Sequence, residues 1–425
     1  MHMIILGIET SCDETALALL EYKDGKYHIL NSLIHSQAKL HSAYGGVFPT
    51  LAKREHGKNI VSLLQKLIEN AFIMNANLED QPQGPTSRTN LAEISEENWL
   101  ENIEIFDREL SGQNPELLQS IKDASFLKKI PQIDRIAVTS GPGLEPALWV
   151  GINFAKFLSR IWGVPIFPID HMEGHIVGSL LPDDIIFGHE FVLKSLPLPS
   201  IALLISGGHT ELVKVTANNL NYKYSIIGST LDDAVGEAFD KCARLLGLPY
   251  PGGPHISRLA HEAEIRFEVG PQGPTSRTNL KDQPRLPRPM INSGDLNFSF
   301  SGIKTAVLYA TRKAVDQNRF DSDFKMLLAL EFERAITETL VFKLDKAIKK
   351  IDAKSIILGG GVSANSRIQK AIRELSNKHS LTLFIPSAHI SGDNALMIAL
   401  AGSMKTDPRS PDDIVAKGTM SLDQI

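Results

Sequence analysis

Residues 354–375 read KSIILGGGVSANSRIQKAIREL: a short apolar strand, a turn of three glycines, then a helix. The same grammar recurs around it. SIALLISGGHTELVKV (200–215) and KYSIIGST (223–230) supply strands, and DDAVGEAFDKCARLLGL (232–248) supplies a helix. At the start of the chain, MIILGIET (3–10), ALALLEY (16–22) and YHILNSLIH (27–35) are extended runs separated by the turn-like SCDE and KDGK, which reads as a β-meander. A helical pattern follows from about Pro49 to Phe72. RIAVTSGPG (135–143) is a strand entering a glycine turn, and a helix runs from about Glu145 to Trp162. Three strands followed by alternating helices and strands, twice over, predict two α/β lobes facing each other. Ligands of such sheets lie at the carboxyl ends of the strands, where these glycine turns fall.

The bulk numbers suit a soluble globular protein: 425 residues, 43% hydrophobic and 22% charged. No apolar run approaches a membrane span. MHMIILGIET has no basic leader or small-residue cleavage site and reads as a buried first strand, so the expected location is the cytoplasm, with no membrane partner. Cys12 and Cys242 are far apart and form no CxxC, which argues against a disulfide framework or a zinc ribbon. A net charge of −5 does not announce a nucleic-acid binder; any such partner must use a local patch or a helper subunit.

The decapeptide PQGPTSRTNL stands at 82–91 and again, letter for letter, at 271–280. Exact copies in dissimilar surroundings are not the degraded similarity of a structural repeat. Rich in Pro, Gly, Ser and Thr, both are expected in exposed loops and fit an inserted element better than a functional one. The first belongs to a polar, acidic stretch at about 76–130, expected as an excursion from the first lobe.

Four glycine-rich turns follow apolar strands: GIETSCDET near Gly7, SGPG (140–143), ISGGHT (205–210) and LGGGVSAN (358–365). Glycine lets the backbone approach a phosphate and leaves amide N–H groups to donate. There is no GxxxxGK[ST] and no GxGxxG opening a first helix, which sets aside P-loop and dinucleotide folds. HMEGH (171–175) places His171 and His175 on one helix face, able to share a metal. It is not HExxH: at about 100° per residue, Glu173 points roughly 200° away from His171 and can hardly act as a metalloprotease base. By itself the pair could equally be two surface or core histidines.

Ten stretches occur in order: IETSCDET (8–15), YGGVFPTLAKREH (44–56), SGPGLEPALWVG (140–151), DHMEGH (170–175), LISGGHTEL (204–212), LDDAVGEAFDK (231–241), YPGGPHISRLA (250–260), NFSFSG (297–302), GGGVSAN (359–365) and SGDNALMIA (391–399). Together they resemble the bacterial TsaD family, the tRNA N6-adenosine threonylcarbamoyltransferases. The resemblance fails at 73–132, at about 182–198 and at the second decapeptide. It implies the two-lobed α/β fold of actin, sugar kinases and heat-shock ATPases (ASKHA), each lobe a mixed sheet with flanking helices. The first lobe is expected at 1–168 (insertion about 76–130), completed by about 391–425, and the second at 169–390 (insertion about 268–284). Departures occur at Thr50, where Glu is frequent, and at Glu145 and Pro146; these bear on partner contacts rather than chemistry.

The resemblance implies transfer of threonylcarbamoyl from threonylcarbamoyl-adenylate to N6 of the adenosine 3′ of the anticodon, in tRNAs reading codons that begin with A. His171, His175 and Asp393 are the implied ligands of one Fe(2+) per subunit, although Asp393 could otherwise cap a helix. Leu204, Ile205, Ser206, Gly207 and Gly208 are implied beside the acyl adenylate, Asp240 at its ribose, and Gly253 and Asn365 at its nucleoside, Asn365 being equally suited to capping a helix. Glu14 and His209 are candidates for the general base, and Lys241 for a further contact. The implied partners are tRNA, a TsaB-like subunit and a small TsaE-like ATPase, with a homodimer possible in the partner's absence. Lys53, Arg54 and Lys58 on the helix from Pro49 are candidates for RNA phosphate contact. The rival readings are a sugar or acetate kinase of the same fold, which has no use for the histidine pair, and a non-enzymatic ATPase switch.

Overall fold

The computed structural model describes residues 2–78, 92–185, 187–218, 221–267, 269–270, 273–274, 284–387 and 390–424. The chain divides into two compact units, 1–39 with 47–195 and 392–425, and 40–46 with 196–391. A five-residue helix, α1 (Ala38–Ser42), lies on their border.

The first unit is built on a six-stranded sheet: β1 (His2–Glu9), β2 (Glu14–Lys23), β3 (Lys26–Ser36), β4 (Arg135–Gly141), β5 (Ile166–Asp170) and β6 (Glu190–Phe191), in the order β5-β4-β1-β2-β3-β6. β1 pairs antiparallel with β2 and parallel with β4, which is why HMIILGIE is apolar on both faces and buried after His2. Its alternate residues Ile4, Leu6 and Ile8 share one core with Leu64 of α2 (Pro49–Leu78) and Phe154 of α5 (Glu145–Trp162). On the opposite face, a Cβ on Gly7 would lie 2.2 Å from the Ala395 carbonyl oxygen of α12 (Ala395–Met404), so only glycine admits that helix so close. α5 starts where its sequence predicts; Glu145 and Pro146 sit in its first turn, where neither disturbs a helix.

Two expectations fare differently. The described part of the 76–130 stretch is no excursion. α3 (Glu96–Leu110) and α4 (Pro115–Lys122) turn Trp99, Ile103, Phe106, Leu110, Leu117 and Ile121 into the core of the first unit. The first unit also continues to Ser195, past the boundary read at 168, because α6 (His171–Gly178) is buried along its whole length and packs against α12.

The second unit repeats the plan. β7 (Ser200–Ile205), β8 (Thr210–Asn218), β9 (Asn221–Ser229), β12 (Ser355–Gly359) and β13 (Thr382–Phe384) lie in the order β13-β12-β7-β8-β9, antiparallel from β7 to β9 and parallel from β7 through β12 to β13. Its helices are α7 (Val235–Leu245), α8 (Gly252–Phe267), α9 (Ser301–Asp316), α10 (Ser322–Ile351) and α11 (Ser366–His379). Ile201, Leu203 and Ile205 of the central strand share one core with Phe239, Phe332 and Ile368. Each unit is thus a mixed sheet with flanking helices, as expected of the actin-like ATPase fold. A two-residue ladder, β10 (Val269–Gly270) with β11 (Gly273–Pro274), includes two residues of the second decapeptide; the rest of that copy, and the whole of the first copy, lie outside the described residues. No helix among the described residues is long and apolar enough to cross a membrane.

Candidate functional site

In the first unit, α6 opens directly after β5 because the Asp170 carboxylate accepts from the Met172 and Glu173 amides at 2.8 and 3.0 Å. This places His171 and His175 on one face, with ring centroids 4.7 Å apart. A Cβ on Gly174 would lie 2.9 Å from Ile398 Cδ1, so the glycine lets α6 settle against α12. Asp393 stands two residues before the start of α12. The cap of that helix is Asn394, whose side chain accepts from the Met397 amide, so Asp393 is released from the capping role its sequence position suggested. Its Oδ1 lies 3.3 Å from Nε2 of both histidines, and one ligand atom from each of the three residues falls within 4.8 Å of the others.

A further residue orients the set. Glu9, fully buried at the end of β1, accepts from Thr139 Oγ1 at 2.6 Å and from the Ser11 amide, and its Oε2 lies 3.0 Å from His171 Nδ1. A carboxylate there fixes the proton on Nδ1 and turns Nε2 toward Asp393. Burial opposes the charge on Glu9 and on Asp393, yet His171 holds Glu9 below the usual carboxylate range, and His171 with His175 does the same for Asp393. For His171, burial is outweighed by Asp393 and Glu9, which raise it well above the ordinary imidazole value. His175 is lowered by burial, and its Nε2 has no hydrogen-bond partner among the described residues although Asp393 is close. Two carboxylates and two imidazoles, buried and converging, call for positive charge at their focus. This donor set fits a first-row divalent metal.

Glu173 points elsewhere: its carboxylate pairs with Lys405 at 2.7 Å, on the far side of the helix from any protease role. Glu14, at the start of β2, is pushed up to about 9 by burial and by the Asp13 and Asp393 carboxylates, and its Oε1 accepts from Ser36 Oγ at 3.1 Å. Burial and the same acidic neighbours hold the Cys12 thiol well above its ordinary value, which removes it as a nucleophile. On α2, Arg54 and Lys58 both flank Glu55, at 3.8 and 2.8 Å, which offsets one of the three positive charges that Lys53, Arg54 and Lys58 offer to a phosphate chain.

In the second unit, Leu204 and Ile205 are fully buried strand residues and contribute backbone alone. Beyond them the chain turns: the Ser206 amide donates to the His209 carbonyl, and the His209 amide to Ser206 Oγ. The glycines here fall into two kinds. A Cβ on Gly236 would meet the Ser206 carbonyl at 2.6 Å, one on Gly252 would meet Ala243 Cβ at 2.5 Å, and one on Gly360 would meet the Ile205 carbonyl at 2.5 Å. These three let β7, β12, α7 and α8 converge. Gly207, Gly208, Gly253 and Gly361 face open space without a left-handed backbone, so the fold itself does not require glycine at them. Asp240 Oδ1 accepts from the Gly252 amide at 2.7 Å and so fixes the start of α8 beside Gly253. Lys241 pairs with Asp233 and Glu237, both at 2.7 Å. Asn365 Oδ1 caps α11 by accepting from the Ile368 amide, and its Nδ2 donates to Ser257 Oγ and Glu333 Oε1.

The structure therefore gathers His171, His175 and Asp393 in the first unit, and the turn at 204–208, Asp240 with Gly253, and Asn365 in the second. Sequence reading missed Glu9, although it lies inside IETSCDET, and missed the partners of Asn365.

The sequence matches the TsaD family, described as tRNA N6-adenosine threonylcarbamoyltransferase, over residues 28–80 and 105–400. The similarity thus resumes at 105, inside the stretch where the motifs alone suggested that it failed. The chain is 36% identical to the tRNA N6-adenosine threonylcarbamoyltransferase of Persephonella marina, covering 94% of this chain and 89% of that one. It is 37% identical to the protein of the same name from Thermosipho africanus, covering 94% and 93%. Among solved structures, component A of (R)-2-hydroxyglutaryl-CoA dehydratase from Acidaminococcus fermentans aligns with a TM-score of 0.41 at 12% identity, over 94% of this chain and 97% of the other.

Proposed function

The chain belongs to the TsaD family of tRNA N6-adenosine threonylcarbamoyltransferases, and from that premise we propose how its own residues serve the reaction. Threonylcarbamoyl passes from threonylcarbamoyl-adenylate to N6 of the adenosine 3′ of the anticodon, in tRNAs reading codons that begin with A. The N6 lone pair attacks the carbamoyl carbon, the bond from that carbon to the phosphate oxygen breaks, AMP leaves with the bonding pair, and N6 gives up a proton. AMP is already a good leaving group, so positioning and charge stabilisation are what the protein must supply.

The observation that carries the reading is the separation of the glycines. Positions 207, 208, 253 and 361 are open to a ligand, while the glycines beside them are packed against backbone. The amides of Gly207 and Gly208 are suited to the phosphate of the adenylate, and the Asp240 carboxylate to its ribose hydroxyls. His171, His175 and Asp393 would hold one Fe(2+), which supplies Lewis acidity toward substrate oxygens when bound. Glu9 keeps His171 in the required tautomer. Glu14 and His209 are the candidates to take the N6 proton. The anticodon loop must be splayed to present its base. Lys53 and its neighbours on α2 are candidate phosphate contacts, and TsaB-like and TsaE-like subunits in the cytoplasm are the proposed partners, with a homodimer possible without them.

The test offers two labels to one reaction mixture containing the partner subunits, a threonylcarbamoyl-adenylate synthase and unmodified tRNA. Carbon-labelled threonine entering tRNA, with no labelled phosphate passing from ATP to any of a panel of sugars, supports the transferase. The opposite distribution supports a kinase and rejects it.

A further inference from the structure

Glu333, in the middle of α10, is a carboxylate 3% exposed within the second unit. Its Oε1 accepts from Asn365 Nδ2 at 2.6 Å and from Ser257 Oγ at 2.8 Å, and its Oε2 accepts from Arg367 Nε at 2.8 Å. Ser257 Oγ also accepts from Asn365 Nδ2 at 2.8 Å, which closes a ring of three side chains. Arg367 reaches on to Glu264 of α8 at 2.6 Å. One buried carboxylate therefore ties together α8, α10 and the start of α11.

A buried ion pair is an inefficient way to stabilise a core, since well-packed apolar side chains of similar volume often do as well or better. The placement of the ring gives it a different use. Ser257 stands one helical turn after Gly253, and Asn365 stands four residues after Gly361, at the end of the 3-10 turn Gly361–Ala364. Gly253 and Gly361 are the two open glycine positions of α8 and of the β12 turn. The same turn is braced from its other side by Gln369 Nε2, which donates to the Ser363 carbonyl at 2.8 Å. Both N–H groups of the Asn365 amide donate inside the ring, and its oxygen accepts at the cap of α11.

We propose that Glu333 is a positioning residue that, by holding Asn365 and Ser257, fixes the separation of Gly253 and Gly361, the backbone walls against which the nucleoside part of the acyl adenylate lies. This rests on the nucleotide reading of the second unit given above. Glu333→Ala removes both acceptor oxygens, and with them all three hydrogen bonds, at once. Glu333→Gln keeps an acceptor oxygen for Asn365 and Ser257 but meets Arg367 with a second donor, so it restores the ring in part. Ser257→Ala removes one link and suits a helix position.

The probe is AMP, titrated calorimetrically into the full-length wild-type protein and the three variants, alongside iron content, melting temperature, and KM and kcat for threonylcarbamoyl-adenylate. Wild-type binding with a loss of at least tenfold in Glu333→Ala, a smaller loss in Glu333→Gln and Ser257→Ala, a matching rise in KM, and unchanged iron supports the proposal. Unchanged AMP affinity in folded Glu333→Ala overturns it. If that variant does not fold, unchanged affinity in both Glu333→Gln and Ser257→Ala overturns it equally. Failure of the wild-type protein to bind AMP overturns the nucleotide reading itself, and the proposal with it.

Discussion

Gly360 and Gly361 are neighbours in one turn, and the structure predicts opposite consequences for the same substitution. Gly360 has φ +85° and ψ 160°, a backbone region essentially confined to glycine, where an alanine costs about 1–3 kcal/mol. Its added Cβ would also stand 2.5 Å from the Ile205 carbonyl oxygen and 2.8 Å from the carbonyl carbon, both backbone atoms of the central strand that cannot turn aside. Overpacking of that kind adds about 1–3 kcal/mol. Gly360→Ala should therefore cost about 2–6 kcal/mol, a large part of the total for an ordinary domain, and lower the melting temperature by roughly 4–24 °C. Gly361→Ala adds a methyl group to open space without left-handed strain, so stability should change by less than about 1 kcal/mol, with a gain permitted by the stiffer unfolded chain. On the proposed nucleotide reading its effect falls on the ligand, because the methyl group would fill open space beside that turn, and AMP affinity should drop at least tenfold. Differential scanning calorimetry and AMP titration read the two effects apart. A Gly360→Ala protein as stable as wild type would refute the packing argument, and full AMP affinity in Gly361→Ala would refute the assignment of that turn to the ligand.

His171→Ala combined with His175→Ala should abolish iron binding and transfer while the fold persists; elemental analysis showing about one iron per chain in wild type and as much in the double variant would reject the ligand set. Asp240→Ala should weaken use of the adenylate tenfold to a hundredfold, about 1.5–3 kcal/mol for a charged hydrogen bond, with iron retained; a rise in KM of less than threefold would remove Asp240 from the ribose. Asp345 is held at about 2 because Lys349 and His379 outweigh the effect of its burial, so it contributes stability above its ordinary value of 3.8 that is lost as pH falls toward 2. Wild type should melt above Asp345→Asn at pH 5, by the equivalent of less than about 1 kcal/mol, and the gap should narrow by pH 3; a gap that widens on acidification would contradict that sign.

The opening meander and the 145–162 helix were legible because apolar periodicity there coincides with punctuation by Gly, Asp and Pro. So was the direction of Glu173, since helix geometry alone turns it from His171, and its carboxylate meets Lys405 instead. The burial of α3 and α4 was harder to read. Trp99, Ile103, Phe106 and Leu110 carry a helical spacing, but the acidic residues between them on the exposed face dominate the composition of that stretch. Glu9 and Glu333 could not be found by spacing at all. Glu9 meets His171 across 162 residues because β1, β4 and β5 lie side by side, and Glu333 meets Asn365 because α10 and α11 pack together. A carboxylate in a strand or a long helix has no local sign of a partner brought to it by the sheet. Asp393 and Asn394 illustrate the same limit, since either could cap α12 by sequence and only the folded chain assigns the cap to Asn394.

The central claim is tested most directly by nucleoside mass spectrometry of tRNA from a complete reconstitution with threonine, bicarbonate, ATP, unmodified tRNA, a threonylcarbamoyl-adenylate synthase, TsaB-like and TsaE-like subunits and this chain. Threonylcarbamoyladenosine should appear with the wild-type protein and be lost with the His171→Ala, His175→Ala double variant. Its absence with the intact protein, when a known member of the family produces it in the same mixture, would contradict the account.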